Sequence, residues 1–355
     1  MRVLVAEDSA TARALLVSLL TAEPDMVVVG EAHTGLEAVE MAERLQPDLV
    51  TMDIQMPHLD GIEATRRIMT QSPRPILIVS STAGHDVEQS LEAMRSGALM
   101  VIAKPGGAGT PTHDIDRRQL TTMVRALAQV KVVRRHGSFA QGIMPARATS
   151  ALAGAEAARR LRGDTTPELV AIAASTGGPA ALQAILSTLP ARFPVPIFIV
   201  QHIARGFTAG LAHWLSGDAA VRVKLAELGE PARPGTVYIA PDDRHLGVRR
   251  DASGGLRVQL DNAIPVGTFR PSATYMFRSC AEHVGRGLIA VILTGMGDDG
   301  VEGLRSVKQS GGRILAQDEA SSVIYGMPRE AQRAGIVDQV LGITEMARCI
   351  RELAG

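Results

Sequence analysis

Short apolar runs alternate with segments of helical period over the first part of the chain. In the helical segments, apolar residues recur every three or four positions, as in ATARALLVSLL and GLEAVEMAERL. Strands that alternate with helices are typical of a parallel sheet covered by helices on both faces. The runs that predict strands are RVLVA, MVVVGEA, DLVTMD, PILIVS and ALMVIA. A helical segment from about Asp114 to Arg135 closes this first predicted domain, residues 1–130.

The same alternation resumes near Glu168 and predicts a second domain over residues 167–355. Its predicted strands are ELVAIAAS, VPIFIVQH, VRVKLA, GTVYIAP, GLIAVILT and GGRILAQD. A turn-rich excursion follows the fourth of these strands. Its runs on either side of residues 253–255, Ser-Gly-Gly, predict a small β-hairpin. The chain is therefore predicted to be an α/β protein with two doubly wound parallel sheets.

Residues 131–166, between the two domains, show no sustained period and contain several Gly, Pro, Ser and Thr. They are predicted to form a linker. Between Lys131 and Gly163, seven basic residues stand against one acidic residue, Glu156: Lys131, Arg134, Arg135, Arg147, Arg159, Arg160 and Arg162. We interpret the segment as a solvated tether in preference to a docking surface for an acidic partner.

Composition excludes several classes of protein. Basic and acidic residues both number 37, so no overall field attracts nucleic acid. The only cysteines, Cys280 and Cys349, indicate buried free thiols in a reducing compartment. The N-terminus does not resemble a signal peptide, and the longest apolar run is far shorter than the roughly 18 residues of a membrane-spanning helix. We expect a cytoplasmic protein without membrane insertion.

Polar residues follow the predicted strands of the first domain. Glu7 and Asp8 follow the first strand and Asp53 follows the third. Their carboxylates are expected to meet at one edge of the sheet and form a pocket suited to Mg²⁺, where one of them could accept a phosphoryl group. Ser80 and Lys104, after the fourth and fifth strands, would supply a hydroxyl and an ammonium group to an anionic phosphoryl oxygen.

The motifs VLVAEDS, TMDIQMP, IVSS and AKP resemble the receiver domain of two-component response regulators, which has a flavodoxin-like fold. The resemblance implies that Asp53 takes a phosphoryl group from a partner histidine kinase and that Glu7 and Asp8 hold Mg²⁺ with it. Ser80 and Lys104 would then sense the phosphorylated state. Receivers commonly carry an aromatic switch residue three positions before the lysine. This chain has Val101 there, which implies a signal relayed without a rotating ring.

At three places in the second domain, reactive residues stand where an apolar run meets a turn. Ser175 is followed by Thr-Gly-Gly-Pro, in which the glycines permit close backbone approach and the proline suits a helix start. His202 follows the run IFIVQ directly, and Asp298 and Asp299 lie in GMGDDG. A serine nucleophile needs a base, an acid that orients the base, and donors for the oxyanion. A serine hydrolase is predicted, although spacing alone does not choose between the two aspartates.

The surroundings of the serine match the nucleophile elbow G-x-S-x-G only in part, because Ala173 replaces the first glycine. An assignment to the α/β-hydrolase fold is therefore not supported. The segments around Ser175, His202 and GMGDDG resemble instead the Rossmann-like catalytic domain of the chemotaxis protein-glutamate methylesterase family. The segments IAPDDRHL and AQDEASSVIYGMPREA share this resemblance. With the receiver in front, this two-domain pattern covers nearly the whole chain.

The resemblance implies that Ser175 is the nucleophile, His202 the general base and Asp299 the orienting acid. It also implies that Thr176 and Met296 line the active site, the latter through a backbone amide near the oxyanion. The implied reaction is the hydrolysis of glutamate γ-methyl esters on chemoreceptors, activated by phosphorylation, with deamidation of receptor glutamines as a related activity. No cofactor is implied for hydrolysis.

Two departures from the family, Ala204-Arg205 after QHI and the motif RPSAT, bear on the choice of receptor more than on the chemistry. A non-catalytic receptor-binding adaptor is the main alternative. The serine, histidine and aspartate together argue against it. A DNA-binding response regulator would need a short basic output domain, whereas the output here spans about 190 residues with a parallel-sheet pattern.

Overall fold

The computed structural model describes residues 1–81, 84–107, 109–130, 132, 153–161 and 165–355. The chain forms two compact units, Met1–Met144 and Pro145–Gly355. Within the described ranges, none of the helices is both long and apolar enough to cross a membrane.

The first unit is a five-stranded parallel sheet in the order β2-β1-β3-β4-β5. Its strands are β1 (Arg2–Ala6), β2 (Val27–Ala32), β3 (Leu49–Met52), β4 (Ile76–Ser80) and β5 (Met100–Ala103). Its helices are α1 (Ala10–Thr21), α2 (Gly35–Leu45), α3 (Gly61–Gln71), α4 (Gly84–Ser96) and α5 (His113–Leu127). The central strands β3 and β4 are wholly buried, as expected of a parallel sheet covered on both faces. The predicted flavodoxin-like fold is confirmed.

The end of this unit differs from the sequence prediction, and part of the predicted linker after it lies outside the described residues. Helix α5 ends at Leu127 instead of continuing to Arg135. After Val130 the structure describes only Val132 before the next helix begins at Ala153. The basic residues predicted on the linker at positions 131, 134, 135, 147 and 162 therefore lie outside the described residues.

The second unit is a seven-stranded parallel sheet in the order β14-β13-β12-β6-β7-β9-β8. Its strands are β6 (Leu169–Ala174), β7 (Ile197–Gln201), β8 (Arg222–Leu225), β9 (Thr236–Ile239), β12 (Leu288–Ile292), β13 (Arg313–Gln317) and β14 (Gln339–Leu341). Its helices are α6 (Ala153–Leu161), α7 (Gly178–Leu186), α8 (Thr208–Ser216), α9 (Ala273–Val284), α10 (Val301–Gln309), α11 (Met327–Arg333) and α12 (Ile343–Ala354). The short strand β14 was not predicted.

The predicted hairpin is also present, as the antiparallel pair β10 (His245–Arg250) and β11 (Leu256–Asp261). Its inward residues, among them Leu246 and Val258, share one buried core with Phe277 of α9 and with the central strands of the sheet. This core fixes α9 against both the sheet and the hairpin. Both cysteines are free and buried, as expected, and burial raises the pKa of the Cys349 thiol to about 12.

Helix α6 lies inside the range predicted to be a linker. Ala157 and Ala158 of this helix are buried, and α6 packs against α12 so closely that a Cβ on Gly154 would lie 2.6 Å from the Glu345 carbonyl oxygen. Arg313 Nε donates a 2.8 Å hydrogen bond to the last carbonyl of this helix, at Leu161. The sequence interpretation missed α6 because small residues leave no period of large apolar side chains, although alanine is the strongest helix former.

Candidate active site

Ser175 lies at the point where the chain changes direction across the second sheet. Strand β6 is flanked by β7 on one side and by β12 on the other. The Ser175 amide donates to Thr294 O beyond β12 at 3.0 Å, and the His202 amide donates to Ala174 O at 2.9 Å. Ser175 and His202 therefore leave adjoining strands at the carboxyl edge of the sheet. In open α/β sheets, ligands bind in the crevice at such a switch point.

Asp299, and not Asp298, is the aspartate that reaches the histidine. His202 Nε2 lies 2.9 Å from Asp299 Oδ2, and both side chains are largely buried. Asp298 is exposed to solvent. The loop after β12 thus brings only the second aspartate of GMGDDG to the position of an orienting acid.

The Asp299 carboxylate is held by the N-terminus of α9. It accepts hydrogen bonds from Ser272 Oγ at 2.8 Å, from the Ala273 amide at 2.7 Å and from the Thr274 amide at 3.0 Å. Burial alone would raise the pKa of Asp299, but the contact with His202 and these amides lower it to about 2. Because the pKa is depressed, the ionised carboxylate stabilises the folded state above about pH 4, and this contribution is lost as the pH falls toward 2.

Two residues that sequence reasoning missed also shape the site. The Phe269 ring stacks on the His202 imidazole, with ring centroids 4.2 Å apart and planes inclined by 14°. Reciprocal backbone hydrogen bonds with Val266 hold Phe269 in a tight turn. The second missed residue is Ser272, the N-cap of α9. A serine before an apolar helical run is a recognisable cap signal, whereas no local pattern indicates that Phe269 lies on the histidine.

The loop between β12 and Asp299 closes tightly over the serine. A Cβ on Gly295 would lie 2.6 Å from Ser175 Cβ and 2.5 Å from Met327 Sδ, so only glycine fits there. Thr176 is fully buried, and its carbonyl accepts a hydrogen bond from Thr294 Oγ1 at 2.9 Å.

The helix α7 begins three residues after Ser175, behind Gly177 in the left-handed region at φ 77°. Met296 is half-buried in the loop between β12 and Asp299. The serine thus stands near the positive end of a helix dipole, an arrangement suited to developing negative charge.

The first unit carries the predicted acidic cluster. One carboxylate oxygen from each of Glu7, Asp8 and Asp53 lies within 4.8 Å of the others. Lys104 Nζ lies 2.9 Å from Asp53 Oδ2 and 2.9 Å from Glu7 Oε2. Ser80 is buried at the end of β4, and its carbonyl accepts a hydrogen bond from the Lys104 amide at 2.9 Å. The five predicted residues therefore meet at one edge of this sheet.

Electrostatics at this cluster favours an additional cation. Burial raises the pKa of Glu7 and of Asp53, and a neighbouring carboxylate adds to the shift of each. Burial would lower the pKa of Lys104, but its hydrogen bonds to both acids outweigh burial and raise it. Carboxylate oxygens that crowd together in this way are the donors that Mg²⁺ prefers, so the residues fit this ion. The position of the usual aromatic switch, Val101, is fully buried within β5.

Comparisons with known proteins identify both domains of the chain. Residues 170–350 match the CheB methylesterase family, and residues 3–115 match the response regulator receiver domain family. The protein-glutamate methylesterase/protein-glutamine glutaminase 4 of Myxococcus xanthus is 52% identical over 98% of this chain and 95% of that protein. The corresponding protein 3 of Anaeromyxobacter dehalogenans is 47% identical over 96% of this chain and 95% of that protein.

Among solved structures, the CheB methylesterase catalytic domain of Thermotoga maritima is 40% identical, with a TM-score of 0.52. It covers 53% of this chain and 100% of that domain. A receiver domain followed by a parallel-sheet hydrolase domain defines a response regulator with an enzymatic output. The chain belongs to the protein-glutamate methylesterase family. The predicted methylesterase with an N-terminal receiver is thereby confirmed.

Replacing Gly295 with alanine is expected to lower methyl ester hydrolysis at least about 100-fold, because the added Cβ displaces Ser175 or Met327 and misplacement by 1 Å at an active site costs about that factor. Initial rates with the purified variant would measure the loss. Gly255→Ala is the matched control, because its nearest neighbours are Asp251 side-chain atoms at 3.3 Å or more. Equal activity of Gly295→Ala and the control would contradict the close packing described for this loop.

Asp299→Asn is expected to reduce kcat on the order of 10⁴-fold, the cost of the equivalent change in a serine protease. The amide removes the negative charge beside His202 and faces three donors that the carboxylate accepted. Asp298→Asn, one residue away and exposed, should change kcat less than about threefold, since surface substitutions act weakly. Steady-state hydrolysis by the two variants separates the roles. A greater loss of kcat in Asp298→Asn than in Asp299→Asn would contradict the assignment of Asp299 as the orienting acid.

Proposed function

We propose that this protein hydrolyses glutamate γ-methyl esters on the cytoplasmic helices of chemoreceptors, releasing methanol and leaving glutamate. Ser175 acts as nucleophile, His202 as general base and Asp299 as orienting acid. The observation that carries the proposal is the contact between His202 and a buried, ionised Asp299 at strand ends next to Ser175. The names of the related proteins, protein-glutamate methylesterase/protein-glutamine glutaminase, support the same substrate class.

In the first half of the reaction, the imidazole nitrogen that does not face Asp299 takes the proton from Ser175 Oγ. The oxygen attacks the ester carbonyl carbon and forms a tetrahedral intermediate. Asp299 stabilises the imidazolium and holds its orientation. The backbone amide of Met296 and the N-terminus of α7 stabilise the oxyanion, and Thr176 lines the pocket. The imidazolium then protonates the departing methoxide, and methanol leaves an acyl-enzyme on Ser175.

In the second half, His202 takes a proton from a water molecule, which attacks the acyl carbon. Collapse of this second intermediate breaks the ester bond to Ser175 Oγ, and the proton returns to the serine. The product is the free glutamate side chain. A glutamine side chain presents the same carbonyl with ammonia as leaving group, so the same residues account for deamidation.

We further infer that a histidine kinase phosphorylates Asp53 and that this activates hydrolysis in the cytoplasm. Glu7, Asp8 and Asp53 would hold Mg²⁺, which would neutralise charge on the phosphoryl oxygens. Lys104 would pair with a phosphoryl oxygen and Ser80 would donate its hydroxyl, a role that the 2.9 Å distance between Lys104 Nζ and Asp53 Oδ2 supports for the lysine. The unphosphorylated receiver would keep the catalytic domain less active, and phosphorylation would shift the population toward the more active state.

Ser175→Ala is expected to abolish measurable hydrolysis, a loss on the order of 10⁶-fold, as for serine replacement in subtilisin. Methanol released from methylated receptor membranes is the readout. His202→Ala should be about as damaging because the three residues act as a unit. Thermal unfolding of the catalytic domain in each variant serves as the folding control, because phosphorylation of Asp53 reports only on the other domain. Near wild-type methanol release by Ser175→Ala would remove the serine from the mechanism.

A small-molecule phosphodonor with Mg²⁺ is expected to raise the hydrolysis rate of the whole protein roughly 5- to 150-fold, the range of typical allosteric coupling. Asp53→Asn should lose this response but keep the basal rate, because no residue of the proposed triad lies in the receiver. The protein without residues 1 to about 130, which keeps α6 against α12, should hydrolyse the ester faster than the unphosphorylated whole protein. Equal rates for all of these samples would exclude control by the receiver while leaving the esterase assignment intact.

A further inference from the structure

We propose that His245, a buried histidine on the hairpin, is a positioning residue for the catalytic acid and acts by fixing the N-terminus of α9 that holds Asp299. The inference rests on the role proposed above for Asp299. His245 belongs to the segment IAPDDRHL and has no part in the mechanism described so far. It is fully buried at the first position of β10.

One ring nitrogen of His245 donates a hydrogen bond and the other accepts one. Nε2 lies 3.2 Å from the carbonyl oxygen of Ile264, which only accepts hydrogen bonds, so Nε2 carries the proton. Nδ1 is then left with a lone pair, and it accepts the backbone N–H of Ser272 at 3.2 Å. A single neutral tautomer satisfies both contacts, and neither neighbour is compatible with the other tautomer.

The contact with Ser272 leads directly to the acid. Ser272 is the N-cap of α9, and its hydroxyl donates to Asp299 Oδ1. The next two amides of the same turn, of Ala273 and Thr274, donate to the same carboxylate. Because all three donors belong to one helical turn, a tilt of this turn moves them together. The acceptor on His245 holds the first peptide of that turn in place.

Neighbouring side chains fix the imidazole itself. The ring of Tyr275 stacks on it at a centroid distance of 4.6 Å and an angle of 18°. Tyr275 Oη donates a 2.8 Å hydrogen bond to Asp261 Oδ2, and Asp261 is paired with His245 across the hairpin. Burial, together with this bond, raises the pKa of Tyr275 to about 12, so the phenol remains a donor. These contacts join the His245 imidazole both to α9 and to the opposite strand of the hairpin.

Two substitutions separate the two nitrogens. In His245→Asn, the amide oxygen takes the place of Nδ1 and accepts the Ser272 N–H. In His245→Gln, the amide reaches toward Ile264 as Nε2 does, but no acceptor remains at the δ position. We expect His245→Gln to lose about 10- to 100-fold in kcat with KM changed less than about twofold, because a misplacement of up to 1 Å costs that much. We expect His245→Asn to stay within about threefold of the wild type.

A spectroscopic measurement accompanies the kinetics. The imidazole proton between His202 and Asp299 should be visible as a downfield proton resonance in the wild type and in His245→Asn, and weakened in His245→Gln. A general packing role for His245 would lower thermal stability in both variants without this difference. Equal loss of kcat in the two variants, no loss in either, or a greater loss in His245→Asn would overturn the proposal.

The tautomer of His245 is measured on the wild-type full-length protein with ¹⁵N-labelled histidine and requires no variant to fold. The expected result is a neutral ring protonated at Nε2, with Nδ1 shifted as a hydrogen-bond acceptor. A ring protonated at Nδ1 would overturn the proposal. Since this measurement uses no substrate, a failure here is distinguishable from a failure of the esterase function, which the methanol assay reports.

Discussion

The catalytic half of this protein depends on one buried negative charge, the carboxylate of Asp299. A buried charge is tolerated only when it is paired and fully hydrogen-bonded. Here the first turn of α9 and Ser272 supply three donors, and His202 supplies the partner. The position of α9 is set in turn by the core that it shares with the hairpin and the sheet. Asp299, His202 and the hairpin are therefore connected through α9 by one continuous set of contacts.

The acidic cluster of the receiver also contains buried carboxylates, but its electrostatic environment differs from that of Asp299. Among the described residues, three carboxylates lie close together, the Lys104 ammonium group contacts those of Glu7 and Asp53, and the pKa values of these two acids are raised. At Asp299 the donors outnumber the acid and the pKa is lowered to about 2. The first arrangement is stabilised by a further cation. The second is complete as it stands and holds one fixed charge.

Much of the architecture was predictable from local signals. β-Branched runs between helical segments indicated both parallel sheets, and residues 253–255 marked the turn of the hairpin. The reactive residues were found because each follows such a run, and the carboxyl ends of parallel strands meet at one edge. Helix α6 was not predicted because its alanine and glycine residues leave no helical period of large apolar side chains. Strand β14 escaped because it has only three residues.

The sequence by itself determined the fold class, the edge of each sheet that carries chemistry, and the residue types gathered there, because these follow from periodicity and from strand direction. Spacing left Asp298 and Asp299 open, and only the resemblance to the family favoured Asp299. The tertiary structure decides between them by contact with His202, because the direction of a side chain after a glycine-rich loop depends on what the loop packs against. The same holds for Phe269 and His245. Phe269 contacts His202, and His245 contacts Ser272 beside Asp299, in each case across a long stretch of chain, and no local pattern encodes contacts of that kind.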